Sequence, residues 1–287
     1  GGWYTEILAP LLAAHGTYYA AHFPAETDSD YYKRNRAAFA EKLASDPVYN
    51  RVQLTEFAPG NSSAIAPAGS ADVVLTFRNL HNWYNSGGND GMVAIFKDFY
   101  KALKPGGVLG VVEHRLPESK LKTDWTESGY MPQSMVVKVA EQAGFVLEAQ
   151  SEINANPKDS ADHPGGVWTL PPVLRLKEQD KDKYLAIGES DRMTLRFRKP
   201  LDATGIGLAS SRPTADQIPV TIIPGPPPPP RRGRRGAGSR TPDARPPRAR
   251  RPRPPAALRR AVDERGAAGG SLGLFRSGNH GDTGGTE

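Results

Sequence analysis

Two short, almost unbroken apolar runs, Ala71-Asp72-Val73-Val74-Leu75-Thr76-Phe77 and Val108-Leu109-Gly110-Val111-Val112-Glu113, set the strongest limit on this chain. A strand that is apolar on both faces must be covered on both faces, which is the condition of a parallel sheet between helices. The flanking segments supply those helices. Met92, Phe96, Tyr100 and Leu103 recur at helical spacing before Lys104-Pro105-Gly106-Gly107. Further helices are expected over 5–14, 30–44 and 132–143, with Asp28 or Ser29 as cap of the second. Strands are expected over 17–23, 51–57, 145–149 and 192–197. Strand and helix therefore alternate, and the fold class is α/β with a mostly parallel sheet.

Charge divides the chain in two. Residues 1–200 carry 22 Lys and Arg against 24 Asp and Glu, whereas 201–287 carry 15 Arg, no Lys and 7 acids. The net charge of +6 thus belongs to the second part, and it gives no reason for the first part to bind nucleic acid. Phe275 is the one aromatic residue after 200, and Pro226 to Pro230 is a proline run. Such a segment cannot offset its chain entropy by burial, so 201–287 is expected to be a disordered tail beside a 1–200 domain. Its abrupt Arg-Pro-Gly-Ala vocabulary reads as a shifted frame or non-native fusion; the alternative is a basic arm that holds RNA or DNA nonspecifically. The absence of cysteine excludes disulfides, Cys metal ligands and a Cys nucleophile. No apolar run reaches the roughly 20 residues needed to cross a bilayer.

Gly1-Gly2 runs directly into the first helix with no strand before it. The order of glycine turn, helix, strand, helix, strand, then Leu103-Lys104-Pro105-Gly106-Gly107 before a Val-rich strand resembles class I S-adenosylmethionine-dependent methyltransferases. Gly-Gly-Trp-Tyr-Thr-Glu-Ile-Leu-Ala-Pro (1–10), Arg78-Asn79-Leu80-His81-Asn82-Trp83, Trp168-Thr169-Leu170-Pro171-Pro172 and Glu189-Ser190-Asp191-Arg192-Met193 are similar to bacterial predicted methyltransferases of unassigned substrate. The resemblance spans residues 1 to about 200. It implies a Rossmann-like methyltransferase fold with helices on both faces of the sheet and with its first strand missing. That strand sits at the sheet's centre, so its neighbours' edges are expected to be unpaired.

The resemblance also implies a cofactor, S-adenosylmethionine, and a small-molecule acceptor, with cytoplasmic location. Gly1 and Gly2 would approach the methionine part. His22 or Glu26 would stand where the family carries a ribose-binding acid, a departure from its pattern. Glu56 and Phe57 would hold the adenine. Asn79 and His81 follow the fourth strand of such a fold, where cofactor and acceptor meet, and His114 ends the fifth as a candidate base. Trp3, Tyr4, Trp83 and Tyr84 could wall a sulfonium, or simply be core. Asp159, Asp162 and His163 are too loosely spaced for a metal site. Glu189, Asp191 and Arg192 read as an ion pair. Two other functions stay open: a nicotinamide-dependent oxidoreductase, lacking its acid and full glycine fingerprint here, and a methyltransferase-like protein without turnover.

Overall fold

The computed structural model describes residues 2–14, 16–58 and 64–201, and the backbone of 220–223. In chain order its main elements are α1 (Trp3–Leu12), β1 (Tyr18–His22), α2 (Asp30–Ala44), β2 (Val52–Glu56), β3 (Ala71–Phe77), α3 (Leu80–Ala102) and β4 (Leu103–Leu116). Then come β5 (Met131–Pro132), α4 (Gln133–Gln142), β6 (Val146–Ser151), α5 (Lys181–Ile187), β7 (Arg192–Arg198) and β8 (Val220–Ile223). The sheet order is β2-β1-β8-β3-β4-β7-β6, with β5 pairing with β4 off that path. The pairs from β2 to β4 are parallel; β7 runs antiparallel to both β4 and β6.

Alternation along the strands divides the core into two layers. Leu75, Phe77 and Val112 face Tyr4, Leu8 and Ala9 of α1 and Phe39 of α2. Val74, Leu109 and Val111 lie in the second cluster, with Met92, Ile95, Phe96 and Phe99 of α3 and Val136, Val139 and Ala140 of α4. Successive side chains of a strand point to opposite faces, so one apolar run serves both layers. Each large apolar side chain so removed from water contributes about 1.5–3 kcal/mol. This is the α/β architecture expected, a mostly parallel sheet with helices on both faces.

Local chemistry explains the boundaries. Ser29 caps α2, its hydroxyl accepting the Tyr32 N–H at 3.3 Å. Gly16 follows α1 and donates its N–H to Leu12 O at 2.7 Å. The β3 register jumps from Ala71↔Leu103 to Val73↔Val108, so Lys104-Pro105-Gly106-Gly107 bulges out of a strand that begins at Leu103. α3 is longer than its apolar spacing predicts, because it starts at Leu80 and bends at Gly88 (φ 60°, ψ −157°).

The central position differs from expectation. The edges of β1 and β3 are paired, both to β8, in the registers Tyr19↔Thr221 and Val74↔Thr221. Thus part of the 201–287 segment is a strand in the middle of the sheet, where its N–H and C=O groups satisfy both neighbours. The rest of the expected disordered tail, from 202 to 219 and from 224 to 287, lies outside the described residues. Among the described residues no helix is long and apolar enough to cross a membrane.

Candidate active site

Parallel strands end together. His22 of β1, Glu56 of β2, Arg78 just beyond β3 and His114 near the end of β4 therefore meet at one edge, where antiparallel β7 begins at Arg192. In open α/β sheets this carboxyl edge is where ligands bind.

Glu113 organises the edge. Its side chain is completely buried. One oxygen accepts the N–H groups of Leu80 at 2.7 Å and His81 at 3.3 Å; the other accepts the His114 N–H at 2.7 Å. His81 Nδ1 lies 3.0 Å from that second oxygen. The first N–H groups of α3 are thus met by an acid on the neighbouring strand, which also sets negative charge against the positive end of the helix. Asn79 takes the capping position, but its side chain makes no capping bond. Its Nδ2 lies 3.5 Å from Thr76 Oγ1, and its carbonyl accepts from Asn82 and Trp83 N–H groups.

His114 is buried beside this pair. Its Nδ1 is 2.5 Å from Ser190 Oγ, and Arg192 Nε donates to the same oxygen at 3.3 Å. Burial first, then the nearby His81, Arg78 and Arg192, holds its pKa well below the usual histidine value. Arg192 also pairs with Glu189, as the sequence suggested, while Asp191 pairs with Arg115 at 2.9 Å.

Two further side chains at the edge have polar atoms without partners. Tyr4 is 5% exposed, its ring stacked on Phe77 at 4.8 Å, and its buried hydroxyl has no hydrogen bond. Arg78 Nε is likewise buried and unpaired. Burial raises the Tyr4 pKa and lowers that of Arg78. Arg78 also adopts φ 54°, a left-handed conformation that a non-glycine residue takes only when its surroundings impose it. Its N–H supplies the anchor, donating to Val112 O at 2.7 Å. A buried donor or acceptor without a partner costs about 1–3 kcal/mol, so a pair of them at the carboxyl edge is unusual.

The residues expected to hold the cofactor have mostly structural contacts. Gly1 lies outside the described residues. Gly2 starts α1 at φ 83°, and a Cβ there would stand 2.7 Å from the Phe39 ring, so this glycine makes room for α2. His22 stacks on Phe39 at 5.0 Å, and its Nδ1 accepts the Phe23 N–H at 2.9 Å. Burial and then Arg36 lower its pKa to about 4. Glu26 is exposed. Glu56 accepts the Ala25 N–H at 3.0 Å and faces Arg36 at 3.6 Å, tying a loop to α2. Phe57 is 3% exposed, packed against Trp83 at 5.2 Å and Phe99 at 5.9 Å in the helical core.

The aromatic wall is not assembled. Trp83 belongs to that core and Tyr84 meets Trp125 at 5.3 Å, so only Trp3 and Tyr4, edge to face at 4.9 Å, stand together, and Trp3 is 47% exposed. Asp159 is consumed by the Tyr130 hydroxyl, His163 Nε2 and the N–H groups of Ala161 and Asp191. Asp162 bonds Ser160 and pairs with Lys120. Among the described residues no group of His, Asp and Glu is arranged to hold a metal ion.

Sequence reasoning singled out Asn79, His81 and His114, which the fold does bring to one edge. It missed Glu113, Arg78 and the Ser190 contact. A signal existed for one of them: Arg78 is a cation directly ending a seven-residue apolar strand.

No protein-family model matches the chain, and no curated protein matches it. Solved structures with similar backbones include the [4+2]-cyclase SpnF, with 15% identity and a TM-score of 0.41 over 69% of this chain and 80% of that one. PigF with SAH gives 15% identity and 0.42, over 70% and 53% of the two chains. A SAM-dependent methyltransferase from Methanosarcina mazei gives 11% and 0.42, over 69% and 87%.

Proposed function

We propose that the protein binds S-adenosylmethionine at the carboxyl edge of its sheet and transfers the methyl group to a small acceptor. The observation that carries this reading is the pair of buried, unpartnered atoms, Tyr4 Oη and Arg78 Nε, at that edge. Both can donate a hydrogen bond, and Arg78 adds a positive charge, so together they suit a carboxylate. The methionine half of the cofactor ends in one. The motif resemblance over residues 1 to about 200 supports the same class.

The fit extends to the methionine end only. Phe57 and Gly2 are taken up by packing and His22 Nδ1 by Phe23, so the adenosine half is not assigned to them. The bound cofactor would supply an electrophilic methyl group. The chain's contribution is to orient the ligand through Arg78 and Tyr4 and to keep the neutral His114 and the Glu113–His81 pair beside the reacting end.

The test is calorimetric titration of the full chain with S-adenosylmethionine, S-adenosylhomocysteine and NAD. Binding of both adenosyl ligands and not NAD is expected. Arg78→Gln should weaken both about 10- to 100-fold, the worth of a hydrogen bond to a charged group. Tyr4→Phe should also weaken binding yet leave the melting temperature unchanged or higher, since its hydroxyl has no partner to lose. A folded protein that binds neither adenosyl ligand, or binds NAD instead, overturns the proposal.

A further inference from the structure

Two histidines stand side by side at the carboxyl edge, His81 and His114, with ring centroids 5.6 Å apart. Each is held through Nδ1, but by partners of opposite character. Glu113 receives three backbone N–H groups on its two oxygens, so it acts as an acceptor. The contact at 3.0 Å from His81 Nδ1 is then one in which the imidazole donates. A neutral ring with its proton on Nδ1 carries its lone pair on Nε2.

Ser190 imposes the reverse on His114. Its oxygen receives the Nε–H of Arg192, a side chain that cannot accept a hydrogen bond. The serine's own proton can then point to His114 Nδ1, 2.5 Å away, which accepts it when that nitrogen carries the ring's lone pair. With the serine proton so directed, the ring proton of His114 sits on Nε2. The neighbouring rings thus differ at Nε2, which carries a lone pair on His81 and an N–H on His114 in these tautomers.

We propose that His81, rather than His114, is the base of this site, that His114 is a hydrogen-bond donor to the acceptor, and that the acceptor is a hydroxyl or N–H compound. This rests on the methyl-transfer reading above. In the step, a lone pair of the acceptor atom forms the bond to the methyl carbon. The carbon–sulfur bonding pair stays with sulfur, and the acceptor's proton passes to His81 Nε2. The positive charge that leaves the sulfonium reappears on the imidazolium, whose Nδ1–H faces the Glu113 carboxylate. A carboxylate or thiolate acceptor, already ionised, would have no use for this pair. Ser190 and Glu113 are positioning residues: each acts through the ring it holds, by fixing its tautomer.

The test reads the tautomers directly, by long-range proton–nitrogen correlation spectra of the ¹⁵N-labelled full chain at pH 7.5. The chain has six histidines. His81 is assigned by its ring contact with Trp168, and His114 by its contact with Tyr130. His81 is expected as the Nδ1–H form and His114 as the Nε2–H form. Ser190→Ala should move the His114 nitrogens and leave those of His81 in place, a selectivity that general loss of structure would not produce. An Nε2–H form of His81, a charged His81, or a Ser190→Ala change that shifts both rings alike overturns the proposal. Loss of the methyl-transfer reading would instead show as absent S-adenosylmethionine binding with both tautomers intact.

Discussion

Replacing His22 with Phe isolates the stability that one neutral, buried imidazole contributes. His22 closes β1, stacks on Phe39 with 14° between the planes, and accepts the Phe23 N–H at 2.9 Å. Burial and the nearby Arg36 bring its pKa from 6.5 to about 4. Between those values the unfolded chain takes up a proton that the folded chain refuses, so stability falls as pH falls. The contribution is complete above pH 6.5 and lost as the pH drops through about 4. A difference of about 2.5 in pKa corresponds to about 3.4 kcal/mol in all, of which about 2 kcal/mol is gone by pH 5. Phe keeps the stack and cannot titrate. At pH 7.5 His22→Phe should cost about 1–2 kcal/mol, because the Phe23 N–H loses its acceptor. Urea unfolding followed by tryptophan fluorescence, at steps from pH 7.5 to 5, should then show the two stability curves converging by about 2 kcal/mol. His114 titrates abnormally in both proteins and drops out of the difference. Parallel curves would refute the reasoning, since they would mean that His22 takes up its proton as readily in the fold as in the open chain.

Two other substitutions probe the packing that builds the edge. Gly2→Ala drives a Cβ to 2.7 Å from the Phe39 ring at φ 83°, so the melting transition should fall by the equivalent of about 1–3 kcal/mol; an unchanged melt would show that α1 and α2 do not meet there. Thr221→Pro removes a ladder N–H from β8 and should cost about 1–3 kcal/mol. A Val74→Cys, Thr221→Cys pair should close a disulfide on mild oxidation in a chain with no other cysteine, and failure of both would place β8 outside the sheet in solution.

What could be read from the residues was what local chemistry decides. The 71–77 run and the 30–44 helix were legible, the first because a doubly buried strand has few disguises, the second because Asp28-Ser29 offers a cap at its start. The roles at the edge were less visible. Glu113 stood out only as the last residue of an apolar run; the β3–β4 pairing brings it against the first turn of α3, where it takes over the capping that Asn79 omits. Phe57 looked available to an adenine because it ends a strand, but its neighbours Trp83 and Phe99 come from α3 and claim it for the core. Ser190 reaches His114 from a distant part of the chain, a meeting that no local pattern encodes. The strand at 220–223 was hidden by composition: four apolar-compatible residues in an arginine- and proline-rich segment read as tail until both their neighbours are in place.

That strand has a consequence for how the molecule is made. β1 precedes its partner on one side, Val220 opposite Tyr18, by some two hundred residues, and that partner is the last of the described elements to be made. Until then the described strands fall into two leaves, β2-β1 and β3-β4-β7-β6, with no ladder among them joining the two. Pairing across such sequence separation is entropically expensive and slow, so the final closure is a late event that the ribosome itself times. Chaperone demand during expression should therefore peak in the interval before residue 223 clears the exit tunnel, when the open flanks of β1 and β3 are most available to other chains.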